Sequence, residues 1–153
     1  MKTLIFKSAL SLLLVFTISS CSSDDDNTDD SSSNQDIVEN TVQTGNWRIT
    51  KYIDSGDNET NHFSGYTFSF NSDNTLVAAN GTNTYNGTWS VTDNNSGDDS
   101  LDDLDFNIFF ASPDDFEELS DDWHFLSRTD TKIELIDISG GNGGTDYLTF
   151  EKN

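Results

Sequence analysis

Few side chains in this sequence are of types that do chemistry. Cys21 is the one cysteine, and His62 and His124 are the two histidines. A lone thiol cannot close an intramolecular disulfide, but it is a nucleophile that can carry an acyl group. His124 follows Asp121 and Asp122, yet a zinc site needs three or four converging ligands, and this triplet supplies too few. The run from Asp93 to Asp103 is rich in the hard oxygen donors that suit calcium. It lacks the alternating acids and closing glutamate of a calcium loop, so it reads as a solvated acidic loop. General acid–base or nucleophilic catalysis needs a paired constellation, and none stands out among the abundant Asp and Ser. The chain therefore reads as no enzyme, with no catalytic residues, no metal ligands and no cofactor.

Charge narrows the partners further. The 153 residues hold 28 acids and 7 bases, a formal net charge of −21. Nucleic-acid binding requires a Lys/Arg stripe to neutralise phosphates, and there is none. A polybasic hold on an anionic membrane is absent for the same reason. The acidity is unevenly placed: residues 1–20 carry +2, residues 21–43 carry −7, and residues 44–153 carry −16.

Position decides what Cys21 is for. Lys2 and Lys7 precede an apolar run from Ser8 to Ile18, centred on Leu12-Leu13-Leu14-Val15-Phe16. A basic start and a short apolar run make a secretory signal over residues 1–20. The run is shorter than the roughly 20 apolar residues a transmembrane helix needs. It ends in Ile18-Ser19-Ser20-Cys21, which resembles the bacterial lipobox. The resemblance implies that Cys21 takes diacylglycerol, that the chain is cleaved before it, and that the new amine is acylated. Each buried methylene contributes about 0.8 kcal/mol, so two or three chains, palmitate-like in length, make a lasting anchor. The membrane is thus an expected partner, through acylated Cys21.

Next comes Ser22-Ser23-Asp24-Asp25-Asp26. This resembles the export signal of Bacteroidetes-type surface lipoproteins, which implies an outer-membrane, lipid-anchored, surface-exposed address. The other reading is a plain acidic spacer. Residues 21–43 as a whole are polar, with only Ile37, Val38 and Val42 apolar after the cysteine. Such a segment buries too little to offset its conformational entropy and reads as a disordered tether. Fully stretched, 23 residues reach roughly 75 Å.

The elements that could build a site lie in residues 44–153, where the apolar set is nearly half aromatic. That composition favours strands. Trp47, Ile49 and Ile53 share one face of a first strand. Tyr66, Phe68 and Phe70 alternate with polar residues, as do Tyr85, Trp89 and Val91. Leu104, Phe106, Ile108 and Phe110 do likewise, with Phe109 breaking the pattern. Leu76–Ala79, Trp123/Phe125, Ile133/Leu135 and Leu148/Phe150 complete eight strand candidates. Turn signals separate them at Ser72-Asp73-Asn74, Asn80-Gly81, Thr129-Asp130 and the glycine-rich loop 140–144. One short helix is predicted over Ser112–Leu119, with Ser112 as cap and Pro113 at the first helical position. The pattern predicts an all-β, antiparallel up-and-down barrel of about eight strands; a sandwich is the alternative.

Gly45-Asn46-Trp47, Tyr66-Thr67-Phe68-Ser69-Phe70, Gly87-Thr88-Trp89-Ser90-Val91, Asp122-Trp123 and Leu148-Thr149-Phe150-Glu151-Lys152 together resemble bacterial lipocalin-like lipoprotein domains. The likeness spans nearly all of 44–153. It implies that Trp47 packs across the closed end of a barrel with a basic side chain against it, Arg128 or Lys152. Asp73-Asn74 departs from the Asp-Gly that family favours at its turn. A barrel of eight strands can hold one small ligand or be filled by side chains. The ligand-binding residues are unknown from sequence; the loops 54–65 and 93–103 are the candidate rim. Two functions follow: non-catalytic binding of a small apolar or glycan-like ligand, or a solid barrel that contacts another envelope protein.

Overall fold

The alternation of rings and polar residues translates into strands that keep the rings on one side. The computed structural model describes residues 33–93, 100–139 and 144–153. The described strands are β1 (Trp47–Asp54), the two-residue β2 (Asp57–Asn58), β3 (Thr67–Phe70), β4 (Thr75–Ala79), β5 (Thr84–Asp93), β6 (Leu104–Phe109), β7 (Asp121–Arg128), β8 (Lys132–Ile138) and β9 (Thr145–Lys152). β2 only folds back on the end of β1. The other eight run antiparallel in chain order, and β1 pairs with β9 from Trp47↔Lys152 to Ile53↔Tyr147. That pairing closes an eight-stranded barrel and leaves no sandwich edge.

Two bulges correct the simple alternation. In β1 the register shifts between Ile49 and Lys51, so the third inward residue is Tyr52 and not Ile53. Strict alternation would have pointed Lys51 inward, and a one-residue bulge moves its charge out. Its Nζ then sits 4.3 Å from the centre of the Tyr147 ring. β7 shifts in the same way between Phe125 and Ser127, leaving Leu126 exposed. Phe109 does not break its strand; it occupies an outward position and is exposed, while Phe110 turns inward.

Helices close both ends, and here the structure departs most from expectation. Residues 34–43, expected as disordered tether, form α1 (Asn34–Gln43). Ser33 Oγ accepts from the Asp36 amide, and the Asp36 carboxylate accepts from the Ser33 amide, a reciprocal cap. Val38 and Val42, four apart, are fully buried. The Trp47 indole N–H donates to the Val42 carbonyl at 2.8 Å, and Gln35 donates to the Val91 carbonyl at 3.0 Å. The segment orders because the barrel end gives its two valines something to bury against.

The second helix is shorter than expected. α2 spans Asp114–Glu117, one turn, with Pro113 as its cap residue. Neither the Ser112 cap nor Pro113 at the first helical position holds. Pro113 is extended, and its carbonyl accepts from Phe116 and Glu117. The acids Asp114 and Asp115 do sit in the first turn, where the dipole favours them.

Two motif glycines have separate reasons. Gly45 holds φ +89°, a left-handed conformation that side chains resist. Gly87 has ordinary backbone, but a Cβ there would lie 2.3 Å from the Phe109 carbonyl oxygen and 2.8 Å from the Phe110 ring. Asn74, where the resembled family has glycine, also adopts positive φ, 65°. It adds a clamp that glycine lacks, because its side-chain amide donates to the Trp89 carbonyl at 3.1 Å. Lys152, not Arg128, covers the first tryptophan, with Nζ 5.0 Å from the Trp47 ring centre. Arg128 instead reaches Thr41 of α1 at 3.4 Å.

Candidate functional site

A ligand site inside the barrel would need space, and the interior is filled with rings. Phe70 meets Trp89, Phe106 and Phe150 with ring centres 5.4–5.5 Å apart. At the end opposite α1, Phe116 of α2 enters the barrel and meets Phe63, Tyr66, Tyr85 and Phe110 at 4.8–5.3 Å. Phe63 comes from a 3₁₀ turn, Thr60–Phe63, and is 1% exposed. The loop 54–65, expected as a rim, is therefore part of a plug. Tyr52 completes it, its hydroxyl donating to the Glu118 carbonyl at 2.8 Å. Burial and the nearby acids Asp54, Glu118, Asp146 and Glu59 push that hydroxyl's pKa up. Of the second rim loop, residues 94–99 lie outside the described residues, as do 140–143 of the glycine loop.

Among the described residues, shallow depressions open on the surface instead. One, about 410 Å³, is lined by Ile37, Asn40, Thr41, Thr44, Asp130 and Lys152. The other, about 390 Å³, is lined by Phe109, Phe110, Ala111, Glu117 and Ser120. Both are open to solvent, unlike the enclosed pockets that bury most of a small ligand.

A cluster of polar, ionisable side chains sits beside the aromatic plug. Glu59 precedes the 3₁₀ turn and His62 lies within it, while Asp115 and Glu118 belong to α2 and its end. His62 Nδ1 lies 3.9 Å from Glu59 Oε2 and 3.9 Å from Asp115 Oδ1. Ligand atoms of Glu59, His62 and Glu118 all fall within 4.8 Å of one another. The pKa of Glu118 is raised, first by burial and then by its hydrogen bond and charge interaction with Glu59. Sequence reading missed this cluster. Glu59-x-x-His62 is unremarkable alone, and its partners come from a distant segment that only the closed barrel brings near.

The histidine triplet weighed for zinc is not brought together. His124 turns to the neighbouring strand, with Nδ1 2.8 Å from the buried carboxylate of Asp105 directly across the ladder. Asp121 and Asp122 converge instead with Asp137, a group of carboxylates alone. Burial raises the Asp121 pKa to about 6, with Asp122 and Asp137 adding to the rise. A raised carboxyl pKa means the fold favours the protonated form. Its stabilisation is full below the ordinary aspartate value and is lost as pH rises through about 6. Asp121→Asn keeps an acceptor for the Asp122 amide and removes the charge. It should stabilise the protein at pH 7.5 by about 1 kcal/mol, screening at this half-exposed site included. The gain should vanish near pH 4, as read from urea midpoints at both pH values. Equal midpoints at pH 7.5 would remove the argument.

Cys21, expected to be lipidated, and Ser22, Ser23, Asp24, Asp25 and Asp26, expected to direct sorting, lie outside the described residues. No family model and no curated protein matches the sequence. Among solved structures, the chain is similar to the crystal structure of a DUF4847 family protein from Bacteroides vulgatus. The match has a TM-score of 0.50 and 18% identity, and it covers 76% of this chain and 97% of that one. At that identity the likeness is one of fold: the chain is a closed antiparallel β-barrel that folds like this Bacteroides protein.

Proposed function

We propose that this protein is a lipid-anchored lipoprotein of the cell envelope, lipocalin-like in its domain and non-catalytic. Its barrel acts as a solid structural or protein-interaction module and works from its outer surface. The observation that carries this reading is the filled interior, sealed by Phe63 and Phe116 at one end and by α1 at the other. An apolar or glycan-like ligand inside the barrel would have to displace several packed rings. The binding alternative therefore has less support than the solid barrel.

The anchor in this reading is acylated Cys21, and the address is the outside of the outer membrane. Support comes from the basic start, the short apolar run, Ile18-Ser19-Ser20 before the lone cysteine, and the acidic cluster after it. Replacing Asp24, Asp25 and Asp26 by alanine should leave the protein on the membrane but on its periplasmic side. Added protease would then degrade the wild type on intact cells and spare the variant. Equal degradation of both would reduce the cluster to a spacer.

A further inference from the structure

The geometry points to a binding site for one divalent transition-metal ion of the zinc class, held by His62, Glu59 and Glu118 with Asp115 as a fourth donor. This is independent of the anchoring proposal. The residues present one imidazole nitrogen and the carboxylate oxygens of three acids, a mixed set that suits zinc. Calcium and magnesium prefer oxygen donors alone, so the histidine sets the class of metal.

Two observations beyond proximity support a ligand here. Glu59 Oε2 and His62 Nδ1 are both shut off from solvent and without a hydrogen-bond partner. Buried polar atoms are rarely left so, and an ion between them would satisfy both. The side chains that carry them are nonetheless 28% and 33% exposed, so an ion has a way in. Zinc binds such ligands at about 2.0–2.2 Å, and atoms 3.9 Å apart reach one ion with a small rotation.

The site also has a structural consequence. Its ligands come from the 3₁₀ turn and from α2, the two pieces that carry Phe63 and Phe116 into the barrel end. An ion would tie these pieces together, so binding should couple to the stability of the plug.

The test uses the untagged full chain in detergent, stripped with a chelator and titrated with Zn²⁺ by calorimetry. One ion per chain is expected, with a rise in Tm that Ca²⁺ at the same concentration does not give. His62→Gln should weaken Zn²⁺ binding at least about tenfold. His124→Gln, at the other histidine, should leave it unchanged. Should His62→Gln fail to fold, Glu118→Gln at the exposed end of α2 reads the same loss. Absence of stoichiometric binding, or equal binding by wild type, His62→Gln and Glu118→Gln, would overturn the site. Loss in His124→Gln to the same degree would overturn it too.

Discussion

Replacing Phe116 with alanine is expected to destabilise the barrel by about 3–5 kcal/mol, the cost of emptying a ring-sized space in a packed core. Phe116 is 2% exposed and touches rings from the 3₁₀ turn, β5 and the end of β6 as well as Tyr66. Edge-to-face and tilted contacts of this type add to simple burial. α2 is a single turn with no side-chain cap, so this ring, the buried Leu119 and the Tyr52 hydroxyl on the Glu118 carbonyl keep it in place. A domain this size has roughly 5–15 kcal/mol in total, so the variant should sit near the edge of folding. Denaturant midpoints against wild type give the number. Leu126→Ala, at an exposed position on β7, serves as the comparison and should fall within about 0.5 kcal/mol of wild type. A cost below about 1 kcal/mol for Phe116→Ala would mean a loosely seated plug and a mouth that opens.

Cys21→Ala should move the protein from the membrane fraction to the soluble fraction. Among the described residues no helix is long and apolar enough to cross a membrane. The charge of −16 over residues 44–153 opposes an anionic surface. Under the proposal, acyl chains on Cys21 alone hold the protein, and two or three of them change its partition from marginal to permanent. Fractionation with blotting reads the result. Membrane association that survives the substitution would contradict the anchor.

The strands were legible because their evidence is local. Tyr66-Thr67-Phe68-Ser69-Phe70 can bury its rings only by alternating, and Asn80-Gly81 marks a turn without reference to anything else. Gly81 indeed takes positive φ, and the Asn80 side chain accepts from the Thr82 and Asn83 amides. Closure by β1 and β9 is not local, so strand patterning alone does not separate barrel from sandwich; the β1–β9 ladder does. α1 hid for a different reason. Val38 and Val42 look too few to fold a polar ten-residue segment, and only the barrel end makes them enough. The reciprocal cap at Ser33 and Asp36 is local, but in so polar a segment it does not by itself announce a helix. In β1, alternation pointed to Ile53 because nothing in the sequence announces a bulge; the inward charge of Lys51 was the one available hint. The His62 cluster depended on long-range convergence, which no spacing rule conveys.

The central claim is a solid barrel carried by a lipid anchor, and one measurement bears on both halves. Native mass spectrometry of the protein extracted in mild detergent from its own membranes gives the mass of the processed chain and of anything held by it. The expected result is a chain that begins at Cys21, bears acyl groups on that residue, and carries no small organic molecule in the barrel. An unacylated chain, or one apolar or glycan-like molecule bound per chain, would contradict it.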